Sequence, residues 1–125
     1  MTVIPQTRPE DNAIAGVAHS TWAAAAEGLS QLSVWRQTLA PGAASPPHRH
    51  DCDEVVMCLA GQGEVHTEGR VHRFGADTTV ALPRHQLHQL FNVGDEPLQL
   101  LAVLAATPVV TVLPDGHVLD LPWRS

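Results

Sequence analysis

Polar and apolar residues alternate in short runs along most of this chain, the two-residue period of β-strands with one buried face. In Gln31–Leu39, QLSVWRQTL, residues Leu32, Val34, Arg36 and Thr38 fall on one face. Gln31, Ser33, Trp35, Gln37 and Leu39 fall on the other. Glu64–Thr67 and Arg70–Phe74 flank Glu68-Gly69, a two-residue loop ending in glycine that predicts a tight hairpin. That register sets Thr67 opposite Arg70 and Glu64 opposite Arg73, predicting one cross-strand ion pair. Thr78–Leu82 reads as a strand stopped by Pro83, and His88, Leu90 and Asn92 share a face of the next. Leu98–Ala105, LQLLAVLA, is apolar on both faces and predicts a fully buried strand. Thr107–Leu113 and His117–Leu121 around Pro114-Asp115-Gly116 predict a closing hairpin. Seven to nine short strands broken by frequent turns indicate a sandwich or barrel rather than alternating β and α units.

The first residues are different. Pro5 and Pro9 oppose helix and Glu10-Asp11-Asn12 is solvated, so residues 1–20 read as an extended arm in which His19 is a surface residue. Thr21–Gly28, TWAAAAEG, suits a short capped helix or a strand, with Trp22 packed on the barrel wall. The expected organisation is a single domain: residues 1–28 an N-terminal arm covering a sheet edge or crossing to a partner, 29–107 the barrel, 108–125 a hairpin packed on it.

At 125 residues the chain is large enough for a core. A net charge of −6 argues against nucleic acid or an anionic membrane as partner. No apolar run is long enough to span a membrane, and the first residues lack the pattern of a signal peptide, so the cytoplasm is the expected location. Cys52 and Cys58 are not spaced as a CxxC pair, and there is no Tyr or Lys, which excludes Schiff-base and tyrosine-acid mechanisms. The apolar strands and the long arm lead us to expect a homodimer.

The chemistry concentrates in Gly42–Gly61, GAASPPHRHDCDEVVMCLAG. His48 and His50, two apart on an extended chain, point to one side, and Glu54 keeps their parity. His88, in PRHQLHQLFN, is a fourth candidate. Three imidazoles and a carboxylate suit one divalent first-row metal; burying them without a partner would be costly. Trp35, Arg36 and Cys52 are the pocket candidates; the alternative puts Arg36 in solvent and Trp35 in ordinary core. His85, in the turn before His88, is the candidate proton shuttle, or else an exposed turn residue.

These residues also carry a family resemblance. Gly42, His48, His50, Glu54 and Gly61 match the spacing of the first cupin motif, and Pro83, His88 and Asn92 resemble the second. His85 stands where the second motif has glycine, and Gly75 lies two residues further from Pro83 than usual. The resemblance implies an all-β jelly-roll barrel (a double-stranded β-helix) holding a metal on His48, His50, Glu54 and His88. Iron is favoured over manganese, zinc, nickel or cobalt. The expected activity is that of a non-haem dioxygenase acting on a small molecule. The alternatives are a metal-dependent isomerase or lyase, or a non-catalytic cupin that binds a small ligand.

Overall fold

The computed structural model covers residues 1–125 and contains twelve strands and one helical turn. The largest sheet has six antiparallel strands in the order β1 (Asp11–Ile14), β2 (Val17–Ala23), β3 (Ser33–Leu39), β10 (Leu98–Leu104), β5 (Glu54–Ala60) and β8 (Thr79–Leu82). A three-stranded sheet runs β7 (Arg70–Gly75), β6 (Gln62–Thr67), β9 (Gln89–Asn92). A smaller one joins β12 (Val118–Leu119), β11 (Thr111–Val112) and β4 (Arg49–His50). Together they form a jelly-roll barrel, all-β as expected, whose sheets do not close into one continuous hydrogen-bonded ring.

Alternation decides which face is inside. Leu98, Leu100, Ala102 and Leu104 of β10 are buried, meeting Leu39 and Trp35 of β3 and Val56 and Cys58 of β5 in one core. Each leucine so enclosed contributes about 1.5–3 kcal/mol. Leu101 and Val103 point the other way and are only half-buried, so β10 is not covered on both faces. With one 3₁₀ turn as the sole helical element, no helical layer covers the outer face.

The hairpin between β6 and β7 has the expected register, Thr67 opposite Arg70 and Glu64 opposite Arg73. Glu68 and Gly69 both have positive φ (51° and 74°), which the primed turn requires. Arg73 Nε lies 3.4 Å from Glu64 Oε2, the predicted ion pair. At Gly61, φ is +98°, and a Cβ would stand 2.7 Å from the Pro97 carbonyl oxygen and 2.9 Å from Leu98 Cα. Only glycine fits there.

At the N-terminus, β2 pairs with β3 from Val17 opposite Leu39 to Ala23 opposite Val34, and β1 folds back on β2. Thr21 and Trp22 lie in β2, and helix is limited to the 3₁₀ turn Ala25–Glu27, ended by Gly28 at φ +89°. His19 is not on the surface: it is 4% exposed, because β2 turns it inward onto Trp35 and Trp123. The strand expected over 107–113 shortens to Thr111–Val112, since Pro108 has no N–H to pair. The closing hairpin forms through Val118–Leu119.

Candidate metal centre

Three elements place the four candidate ligands together. His50 ends β4 and Glu54 begins β5. His48 and His88 face each other as an isolated antiparallel bridge, each N–H donating to the other's carbonyl at 2.9 Å. The ring centroids of His48 lie 4.8 Å from His50 and 4.4 Å from His88. One nitrogen from each imidazole falls within 4.8 Å of the others, a group that can hold a metal ion.

Each imidazole is tied at Nδ1. His48 Nδ1 meets the Pro46 carbonyl at 2.6 Å, and His88 Nδ1 meets the Gln86 carbonyl at 2.9 Å. His50 Nδ1 meets Thr111 Oγ1 at 3.0 Å, because β11 sets Thr111 opposite His50. A carbonyl can only accept, so His48 and His88 each carry a proton on Nδ1, and that tether turns Nε2 toward the centre of the cluster. This is how proteins orient a metal-ligating histidine.

Glu54 completes the cluster. Its Oε1 is 3.4 Å from His88 Nε2 and 3.6 Å from His50 Nε2. His50 Nε2 and Glu54 Oε1 are buried with no hydrogen-bond partner in the chain. Orphaned groups of this kind are costly, and a cation among them removes the cost. The residues present therefore fit a divalent metal.

The electrostatics follow from crowding. Burial, with the charges of His88 and His50, pushes the His48 imidazole down to about 4. Burial also lowers His50, against the attraction of Glu54. For His88 burial acts downward too, but Glu54 outweighs it and the value is raised. Burial would raise Glu54, yet His88, His50 and His48 hold it below its ordinary value. Glu54 is thus a carboxylate, and His88 is the histidine that shares a proton with it.

The cluster opens into a narrow cavity of about 50 Å³. Its walls are mostly apolar, with Trp35, Val56, Leu90, Leu100 and Trp123 among them. Outside the four candidate ligands the polar lining groups are Gln37, Ser45 and Thr111. Trp35 stands edge-on to His50 with ring centroids 6.0 Å apart.

The other residues singled out by sequence lie elsewhere. Arg36 points away from the cavity, with Nη2 donating to Gln99 Oε1 at 2.6 Å and Nη1 donating to the Leu100 carbonyl at 3.2 Å. Alternation along β3 forces this, since Trp35 and Gln37 take the inner face. Cys52 is buried in the core, not in the cavity wall, and burial pushes its thiol up to about 11. His85 is exposed at φ +69°, and its backbone N–H, not its ring, reaches the site by donating to the His50 carbonyl at 2.9 Å. Thr111 and Trp123 were not foreseen, since only long-range pairing brings them in. Gln37 shares the strand parity of Trp35, a signal that was available.

The sequence profile of the family described as "Cupin domain" matches residues 35–104. The chain is a member of the cupin family. Auxin-binding protein 1 of Arabidopsis thaliana is 36% identical over 112 residues, 81% of this chain and 57% of that protein, so the chain spans little more than half the length of that relative. Among solved structures, the polyketide cyclase RemF from Streptomyces resistomycificus superimposes with a TM-score of 0.75 at 18% identity, covering 87% of this chain and 83% of RemF. A Cupin 2 conserved barrel domain protein from Salinispora arenicola gives 0.68 at 26% identity, covering 83% of this chain and 87% of that one.

Proposed function

We propose that this cupin binds a small molecule on a divalent metal held by His48, His50, Glu54 and His88. One observation carries the reading: three tethered imidazoles and a buried carboxylate converge, with orphaned atoms, at the end of an apolar cavity. Four protein ligands leave one or two coordination positions open. A ligand matching this cavity has an anionic, metal-seeking head and a flat apolar body lying against Trp35 and Trp123. The similarity to a protein named for binding auxin supports small-ligand binding. The bound ion would supply Lewis acidity, or oxygen chemistry if it is iron. The chain's own residues hold the ion, exclude water with the Trp35 and Trp123 walls, and keep Glu54 ionised.

The test is elemental analysis of the purified protein, followed by calorimetric titration of metal-loaded and chelator-treated samples with a panel of aromatic carboxylates. We expect one ion per chain and binding only to loaded protein. Metal-independent binding, or no ion, defeats the reading.

A second reading, dioxygenase chemistry, is favoured by the scarcity of acid–base groups. Outside the ligand set the cavity offers an amide, two hydroxyls and two indole N–H groups, none of which takes up and gives back a proton near neutral pH as an imidazole or carboxyl would. Isomerases and lyases need a positioned proton carrier, which this wall lacks. Oxygen uptake by the iron-loaded protein with catechol, diketone and thiol substrates tests it. No uptake on any of them leaves the binding reading alone.

A further inference from the structure

His19 and Gln37 are cross-strand neighbours on β2 and β3; Gln37 lines the cavity, and His19 packs against Trp35 and Trp123 of its wall. His19 Nε2 is 2.7 Å from Thr21 Oγ1, and Thr21 Oγ1 donates to the Arg124 carbonyl at 2.7 Å. A carbonyl cannot donate, so the single hydroxyl proton of Thr21 is committed to Arg124. Thr21 must then accept from His19, and the His19 ring carries its proton on Nε2. Burial pushes that imidazole down to about 4, so at neutral pH it has no second proton. Its Nδ1 is a bare acceptor, 3.0 Å from Gln37 Nε2. The amide must therefore turn its NH₂ to His19 and its oxygen away.

No protein donor reaches Gln37 Oε1, and Gln37 lines the cavity. The two hydroxyls of the lining are already engaged. Ser45 Oγ donates to the Pro46 carbonyl and accepts from Leu90 N–H, while Thr111 Oγ1 meets His50. Gln37 Oε1 is left as the free acceptor of the wall.

We propose that His19 is a positioning residue that locks the Gln37 amide with its oxygen toward the cavity, so that the site selects ligands carrying an N–H or O–H donor beside their metal-binding head. The inference rests on the small-ligand reading above and adds its polarity. The Thr21–Arg124 bond extends the same chain to the C-terminal segment, whose Trp123 stacks on His19 with centroids 3.9 Å apart. Trp35 Nε1 and Trp123 Nε1 are buried donors without partners in the same region, and the variants below separate their effect from that of the amide.

The experiment compares two planar acids of one shape, pyrrole-2-carboxylate with an N–H and furan-2-carboxylate with a ring oxygen, titrated calorimetrically into zinc-loaded protein. Wild type should bind the pyrrole acid about tenfold more tightly, the worth of one satisfied hydrogen bond. Thr21→Val removes the acceptor that fixes the tautomer, so the imidazole proton can move to Nδ1 and the amide can turn over. The preference should fall toward one while both acids still bind. Gln37→Leu should erase it as well. Long-range proton–nitrogen correlation spectra of the wild type should place the His19 proton on Nε2. Equal affinity for both acids, an unchanged preference in Thr21→Val, or a proton on Nδ1 overturns the inference alone. Binding of neither acid to zinc-loaded protein overturns the small-ligand reading and this inference with it.

Discussion

Glu54 Oε1 stands 3.4 Å from His88 Nε2, and burial leaves each of them the other's nearest charge partner. Glu54 holds the His88 value above that of a free imidazole, so the metal-free protein holds a proton on the nitrogen that the cation needs up to a higher pH than a free imidazole would. Metal uptake must expel it.

We therefore expect metal binding to release a proton, with the number approaching about one per ion as the pH drops through the His88 value. Calorimetry in buffers of different ionisation enthalpy measures it. Glu54→Gln removes the charge that raises His88. That variant should release almost no proton and bind metal at least ~100-fold more weakly, beyond the loss typical of an outer partner. Undiminished proton release in Glu54→Gln would show that His88 does not carry the proton.

Thr111 makes the next prediction. It is 2% exposed, and its hydroxyl is the side-chain partner of His50 Nδ1. Thr111→Val keeps the shape and removes the bond, so the ring loses the contact that orients Nε2. Removal of such outer partners typically costs 10–100-fold in metal affinity. Competition against a chelator should show a loss in that range, with the thermal midpoint of the metal-free protein shifted much less. Wild-type affinity in Thr111→Val would mean the backbone alone positions His50.

Strand alternation made the barrel legible, and the His-x-His spacing made three of the four clustered residues legible, because both are local in sequence. His88 was readable from the second motif. The cavity's far wall was not. Thr111 arrives through pairing of β11 with β4, which joins residues about sixty apart and leaves no periodic trace, and Trp123 lies in the segment that follows β12. Arg36 stays open between pocket and solvent in the sequence for a physical reason: both faces of its strand are partly polar, so composition does not say which is inward. His19 looked solvated because prolines and acids precede it. The strand it sits in pairs with β3, and that pairing turns it inside.

His85 occupies a position where the resemblance expects glycine, and its φ of +69° shows why. A non-glycine residue there carries roughly 1–2 kcal/mol of steric cost, partly offset by the greater unfolded-state freedom of glycine. His85→Gly should raise stability by about 0.5–1 kcal/mol in denaturant titration. Because the exposed ring does not line the cavity, metal content and ligand affinity should not change. A loss of turnover in this variant, with metal retained, would restore the ring to the chemistry.

His19 gives the protein a pH dependence whose sign can be worked out. Its folded value is about 4 against 6.5 for a free imidazole, with burial as the cause, and the acid opposite it in register, Asp11 on β1, is exposed. Between pH 6.5 and 4 the unfolded chain takes up a proton that the folded chain refuses, so stability falls as the pH drops through that window and is complete above it. The gap amounts to ~3 kcal/mol at most, reached only near pH 4. The metal-site histidines and Glu54 carry shifted values of their own, so the measurement is a difference. Unfolding free energies of wild type and His19→Gln, both metal-free, are compared at pH 7.5 and pH 5. The wild type should lose about 2 kcal/mol more than the variant over that interval. Parallel losses in the two proteins would mean that His19 accepts a proton in place, and that the buried ring is held less tightly between Trp35 and Trp123 than its contacts imply.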